Sequence, residues 1–67
     1  MKGYYSMGLC GYEVEVNEDC ESVSYRYITP TSTDPKPHRA IVRYTAKGKA
    51  YFLANGQRIH LSECLRT

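Results

Sequence analysis

The stretch RAIVRYTAKGKAYFLANGQRIHL, residues 39–61, decides the fold. It reads as three consecutive antiparallel strands, 39–45, 49–54 and 57–61, whose registers follow from two turns. Asn55-Gly56 is a strong two-residue hairpin signal, because a type I′ turn needs positive φ at both central positions. That loop pairs Ala54 with Gln57, Leu53 with Arg58, Phe52 with Ile59, Tyr51 with His60 and Ala50 with Leu61. The preceding turn is Ala46-Lys47-Gly48. A two-residue loop there would set Arg43 opposite Phe52. A three-residue loop with Gly48 left-handed instead pairs Tyr44 with Ala50, Val42 with Phe52 and Ala40 with Ala54. A slip of one residue exchanges the two faces, and only the three-residue register keeps charge out of the core.

Side chains alternate along a strand, so this register sorts them into two sets. The inner set is Ala40, Val42, Tyr44, Ala50, Phe52, Ala54, Ile59 and Leu61. The outer set is Ile41, Arg43, Tyr51, Leu53, Arg58 and His60. The second set is the candidate binding face.

Outward from this stretch the chain keeps a β pattern. Tyr12, Val14 and Val16 alternate with Glu13 and Glu15, and Val23, Tyr25 and Tyr27 alternate with Ser24 and Arg26. Asn17-Glu18-Asp19 supplies turn residues between them, which predicts a hairpin. Tyr4 and Tyr5 begin another short strand, interrupted by Gly8 and Gly11. Thr29–His38, with Pro30, Pro35 and Pro37, reads as a long loop. Leu61–Arg66 has room for a single 3₁₀ turn.

The chain has 67 residues, read as a single domain over 1–67. A chain this short buries only about 60% of its unfolded surface. Five short strands in it predict an all-β fold, a small five-stranded antiparallel barrel, closed or half-open, with an SH3-like form fitting best because closure removes exposed strand edges. The ending Asn55-Gly-x-x-Ile-x-Leu-Ser-x-x-Leu-Arg66 resembles the final hairpin and turn of such barrels. An OB-like barrel and an open antiparallel sheet that dimerises are the alternatives.

Three cysteines, Cys10, Cys20 and Cys64, are an odd number and argue against a closed disulfide framework. A reducing, cytoplasmic setting is therefore expected. The N-terminal residues have no apolar stretch of the secretory type, and no apolar run approaches the roughly 20 residues of a membrane span. His60 and Cys64 have finger-like spacing, but the ten residues from Cys10 to Cys20 do not make a zinc knuckle, so no metal and no cofactor are expected. No nucleophile sits in a catalytic motif, and no enzyme is expected.

Charge is uneven along the chain. Residues 1–22 carry one Lys against five acids, whereas residues 23–67 carry eight Lys/Arg against Asp34 and Glu63. This asymmetry either marks a polyanion-binding surface or is offset by interleaving of the two halves in space. An outer face holding Arg43, Tyr51, Arg58 and His60 suits single-stranded nucleic acid, through stacking and phosphate contact. The same face, with Ile41 and Leu53, or the proline loop Thr29–His38, suits a protein partner. The function expected is a non-enzymatic binding module, monomeric or homodimeric, for one of these two partners.

Overall fold

The computed structural model describes residues 2–66. It is all-β, with eight short strands and one 3₁₀ turn. The strands are β1 Lys2–Met7, β2 Cys10–Val16, β3 Ser22–Ile28, β4 His38–Ile41, β5 Arg43–Tyr44, β6 Ala50–Ala54, β7 Gln57–His60 and β8 Leu65–Arg66. The 3₁₀ turn, Leu61–Glu63, stands between β7 and β8. The strands form two antiparallel sheets, one of order β4-β3-β2-β1-β8 and one of order β5-β6-β7. The expected five strands are thus corrected to eight among the described residues, in two sheets that do not close into a barrel.

Both decisive turns form as their residues dictate. Asn55 and Gly56 have φ of 51° and 77°, and β6 pairs with β7 in the register Tyr51–His60, Phe52–Ile59, Leu53–Arg58 and Ala54–Gln57. Gly48 has φ of 83°, Thr45 and Lys49 close the three-residue loop, and Tyr44 faces Ala50. Phe52, Ala54 and Ile59 are fully buried as this register requires.

The run 39–45 is not one strand. It breaks at Val42, whose N–H donates to the Glu21 carbonyl at 2.8 Å. Residues before the break pair with β3, so Ala40 faces Val23 rather than Ala54, and Ile41 faces Ser22. Residues after it pair with β6. Val42 therefore makes no ladder pair with Phe52, although it packs against the core. Two further expectations fail locally. Ala50 does not pair with Leu61, because the chain turns into the 3₁₀ helix there. Tyr44 lies on the inner side by register but is 64% exposed, since the two-residue β5 ends the sheet.

The core fills the space between the sheets. The five-stranded sheet contributes Tyr12, Val14 and Val23, and the three-stranded sheet contributes Phe52, Ala54 and Ile59. Cys64, 6% exposed, joins them after the 3₁₀ turn. At roughly 25 cal/mol per Å², burial of these apolar side chains is the main favourable term in so small a chain.

Gly8-Leu9 turns β1 into β2, with Gly8 at φ of 80°. Gly11 lies within β2 rather than ending it. A Cβ there would collide with the Tyr5 carbonyl oxygen and would sit 2.6 Å from Cζ of Tyr4. The glycine is needed because neighbouring backbone and an aromatic ring occupy the space of a side chain.

The β2–β3 turn is longer than Asn17-Glu18-Asp19 suggests. It runs through Cys20, which takes φ of 59°. Asp19 organises it. Its Oδ1 accepts from the N–H groups of Glu21 at 2.9 Å and Ser22 at 3.0 Å, and its carboxylate also takes the Ser22 hydroxyl. These donors, the Glu21 N–H foremost, hold the Asp19 carboxyl below its ordinary pKa. Ser22 is fully buried and also accepts from Asn17 Nδ2 at 2.9 Å.

Candidate binding surfaces

Three adjacent strands carry the candidate face. Antiparallel pairing sets Arg43, Tyr51 and His60 side by side across β5, β6 and β7, and sets Leu53 beside Arg58. The Arg58 guanidinium lies over the Tyr51 ring, its Cζ 5.0 Å from the centroid. The His60 ring centroid is 5.6 Å from that of Tyr51. Tyr51 and His60 are half-buried, whereas Arg43 and Arg58 are exposed. The sequence therefore brings together Arg43, Tyr51, Leu53, Arg58 and His60 as expected. Ile41 is separated from them. It stands in the five-stranded sheet opposite Ser22, 54% exposed, because the chain changes sheet at Val42.

The ionic environment of this face differs from that of the larger sheet. There, Arg26 pairs with Glu13 at 2.6 Å, Arg39 with Asp19 at 3.1 Å and Lys2 with Glu15 at 3.9 Å. Interleaving thus sets two of the five acids of residues 1–22, Glu13 and Asp19, against cations of the other half, while Lys2–Glu15 lies within the first half. Such exposed pairs contribute about 0–1 kcal/mol each to stability, so their main effect is on the field. No Asp or Glu occurs between Pro35 and Ser62, while Arg43, Lys47, Lys49 and Arg58 fall on the three-stranded sheet and its first turn. Among the described residues none of these four cations makes an ion pair.

A second concave feature was not evident in the sequence. Tyr12, Tyr25 and Tyr27 lie on the inner side of β2 and β3, where Tyr12 faces Tyr27 and Tyr25 faces Val14. With Asp34, His38 and Asn55 they line a cavity of about 200 Å³. The Tyr12 ring stands edge-on to Tyr25, with centroids 5.6 Å apart, and lies 5.2 Å from Tyr27. The His38 ring is 5.4 Å from Tyr25. Asp34 is fixed twice: its N–H donates to the Tyr27 carbonyl and its Oδ2 accepts from the Tyr27 N–H, both at 3.0 Å. His38 Nε2 lies 3.3 Å from the same oxygen. The alternation of β2 and β3 marked these tyrosines as sheet residues. Only the long-range return of the proline loop brings Asp34 and His38 to them.

The three cysteines occupy different settings. Cys10 is half-buried and accepts the Tyr27 hydroxyl at 3.2 Å, Cys20 is exposed, and Cys64 is buried with its Sγ toward the His60 carbonyl at 3.6 Å. Burial foremost, and Glu63 next, push the Cys64 thiol above its ordinary pKa. Among the described residues no three His, Cys, Asp or Glu side chains gather as a metal-binding group. No described helix is long and apolar enough to cross a membrane. Comparisons with protein-family models, with curated proteins and with solved structures gave no match to this chain.

Proposed function

We propose that this chain is a small non-enzymatic module that binds single-stranded nucleic acid on the outer face of β5-β6-β7. The observation that carries the reading is the Arg58–Tyr51–His60 cluster, flanked by Arg43, on a sheet whose own cations make no ion pair among the described residues. Stacking on an aromatic is tolerant of base identity, and arginines beside it neutralise phosphates. Tyr51 and His60 serve as the base platform in this reading. Arg43 and Arg58 hold the backbone, and Lys47 and Lys49 extend the positive field along the first turn. A cytoplasmic location and an SH3-like, half-open relation of the two sheets belong to the same reading. The strand that changes sheet at Val42 and the terminal 3₁₀ turn support that relation.

A protein partner is the second reading. Leu53, 41% exposed beside Arg58, favours it, because an apolar group on a charged face gains from being covered. Ionic strength separates the two. Phosphate binding loses affinity with a log–log slope of about −0.7 per neutralised phosphate on single strands. Anisotropy titration of a labelled single-stranded oligonucleotide at increasing salt tests the proposal. A steep negative slope supports it, and absence of saturable binding at low salt rejects it.

A further inference from the structure

A cavity of about 220 Å³ shares His60 with the Tyr51 cluster and is otherwise lined by Lys49, Ser62 and Glu63. We propose that it takes the Watson–Crick edge of a guanine, with the Glu63 carboxylate accepting from the base. This inference rests on the nucleic-acid reading of the outer face and adds a base preference to it.

The cavity continues the outer face of the three-stranded sheet. The Thr45 N–H donates to the Lys49 carbonyl at 2.9 Å, which carries the Arg43–Tyr51 register of β5 and β6 on to Thr45 and Lys49. Lys49 therefore stands two positions from Tyr51 on the same side, since side chains alternate. The 3₁₀ turn starts directly after His60 and brings Ser62 and Glu63 to the cavity. Lys49, Ser62 and Glu63 are exposed, so a ligand can reach all three. A base packed against Tyr51 and His60 would turn one edge toward them.

The chemistry of the lining selects the base. Residues 35–62 hold no acid, so Glu63 is the one carboxylate at the end of a cationic face. It makes no ion pair among the described residues, not even with Lys49 across the cavity. An ionised carboxylate only accepts hydrogen bonds, so it repels phosphate and favours donors. Guanine alone among the common bases carries two donors side by side, N1–H and the N2 amino group, which match the two carboxylate oxygens. Adenine and cytosine each offer one amino group beside an unprotonated ring nitrogen, and thymine and uracil offer one N–H between two carbonyls. In those bases an acceptor would meet the second oxygen. Paired, charge-assisted hydrogen bonds of this kind are the strong and specific ones. Next to N1–H, guanine presents O6, an acceptor for which Lys49 is the complementary donor. A single strand leaves this whole edge free for a protein to read.

The probe is a short labelled oligothymidylate with one central guanine, titrated with the full-length protein at low salt and followed by anisotropy. Matched strands carry thymine, adenine, cytosine or hypoxanthine at that position, and hypoxanthine is guanine without its N2 amino group. The guanine strand should bind about tenfold more tightly than the thymine, adenine and cytosine strands, with hypoxanthine in between. Glu63→Gln should remove this preference while binding the all-thymine strand at least as tightly as wild type, because a charge that repels phosphate is gone. Equal binding of guanine and hypoxanthine, a preference for cytosine, or a guanine preference that persists in Glu63→Gln would overturn the proposal. Should the variant lose its native spectrum, guanine against hypoxanthine on the wild-type protein decides. The two readings fail differently. Saturable binding of every strand with one affinity rejects the base preference and leaves the outer face as a nucleic-acid surface. Absence of saturable binding by any strand rejects the reading of that face, and the base preference with it.

Discussion

Asn55 Nδ2 donates a 2.9 Å hydrogen bond to Tyr12 Oη, tying the tip of the β6–β7 hairpin to the five-stranded sheet. One residue does two jobs here. Asparagine tolerates the φ of 51° that the turn requires, and its amide reaches across to the buried tyrosine. A double-mutant cycle isolates the second job. Asn55→Gly keeps the turn while removing the amide, and Tyr12→Phe removes the hydroxyl. Chemical denaturation should give a coupling of about 0.5–1.5 kcal/mol. A coupling of zero would mean that the bond does not join the two sheets energetically.

Phe52 is fully buried between the sheets, 5.3 Å from the Tyr25 ring centroid. Phe52→Ala should cost about 3–5 kcal/mol, comparable with the whole stability of a domain this small. Circular dichroism in the near ultraviolet would register the loss of ordered tyrosine packing. A variant with wild-type melting behaviour would contradict the core described here.

Gly11→Ala should destabilise by at least about 1–3 kcal/mol, because its Cβ meets both the Tyr5 backbone and the Tyr4 ring. Adding Tyr4→Ala to that variant should not restore stability, since the Tyr5 carbonyl remains in the way. Full rescue by the double change would place the obstruction in the ring alone.

Two titratable groups give pH and reactivity signatures. Asp19 has its pKa lowered in the fold, so its contribution is present above the ordinary aspartate value of 3.8 and is lost as pH falls through the lowered folded value. Asp19→Asn should therefore flatten the acid limb of the stability profile. Cys64 has its pKa raised, which favours the neutral thiol and is lost only as pH rises above the ordinary cysteine range. With iodoacetamide at neutral pH, mass mapping should show Cys20 modified first and Cys64 last. Early labelling of Cys64 in folded protein would contradict its burial.

Local residues determined much of this fold in advance. Asn55-Gly56 and Gly48 each demand positive φ, so the β6–β7 register and the Tyr44–Ala50 pair were legible, and with them the grouping of Arg43, Tyr51, Arg58 and His60. The corner at Val42 was not. Residues 39–45 alternate without a glycine or proline, and what bends them is a hydrogen bond to Glu21, far away in sequence. Tyr44 shows the same limit: alternation fixes the side toward which it points, but not whether anything covers it. The tyrosine cavity was hidden for a related reason. Its rings were placed by strand period, while Asp34 and His38 arrive through a loop whose return to Tyr27 leaves no periodic trace.

The outer face of β5-β6-β7 makes the sharpest functional prediction. Arg43 and Arg58 are exposed, make no ion pair among the described residues, and sit on either side of Tyr51 in the sheet. Arg43→Ala with Arg58→Ala should leave the fold intact, with at most about 1 kcal/mol lost from the cation–π contact. The same double change should reduce oligonucleotide affinity to background and flatten its salt dependence, because two phosphate contacts disappear. Tyr51→Leu should weaken binding through lost stacking, by about 1–3 kcal/mol, while leaving the salt slope nearly unchanged. The two variants thus separate charge from stacking on one surface. If the double arginine variant bound as tightly as wild type, the face would be only a solvated sheet surface, and the proline loop 29–38 would be the next surface to test.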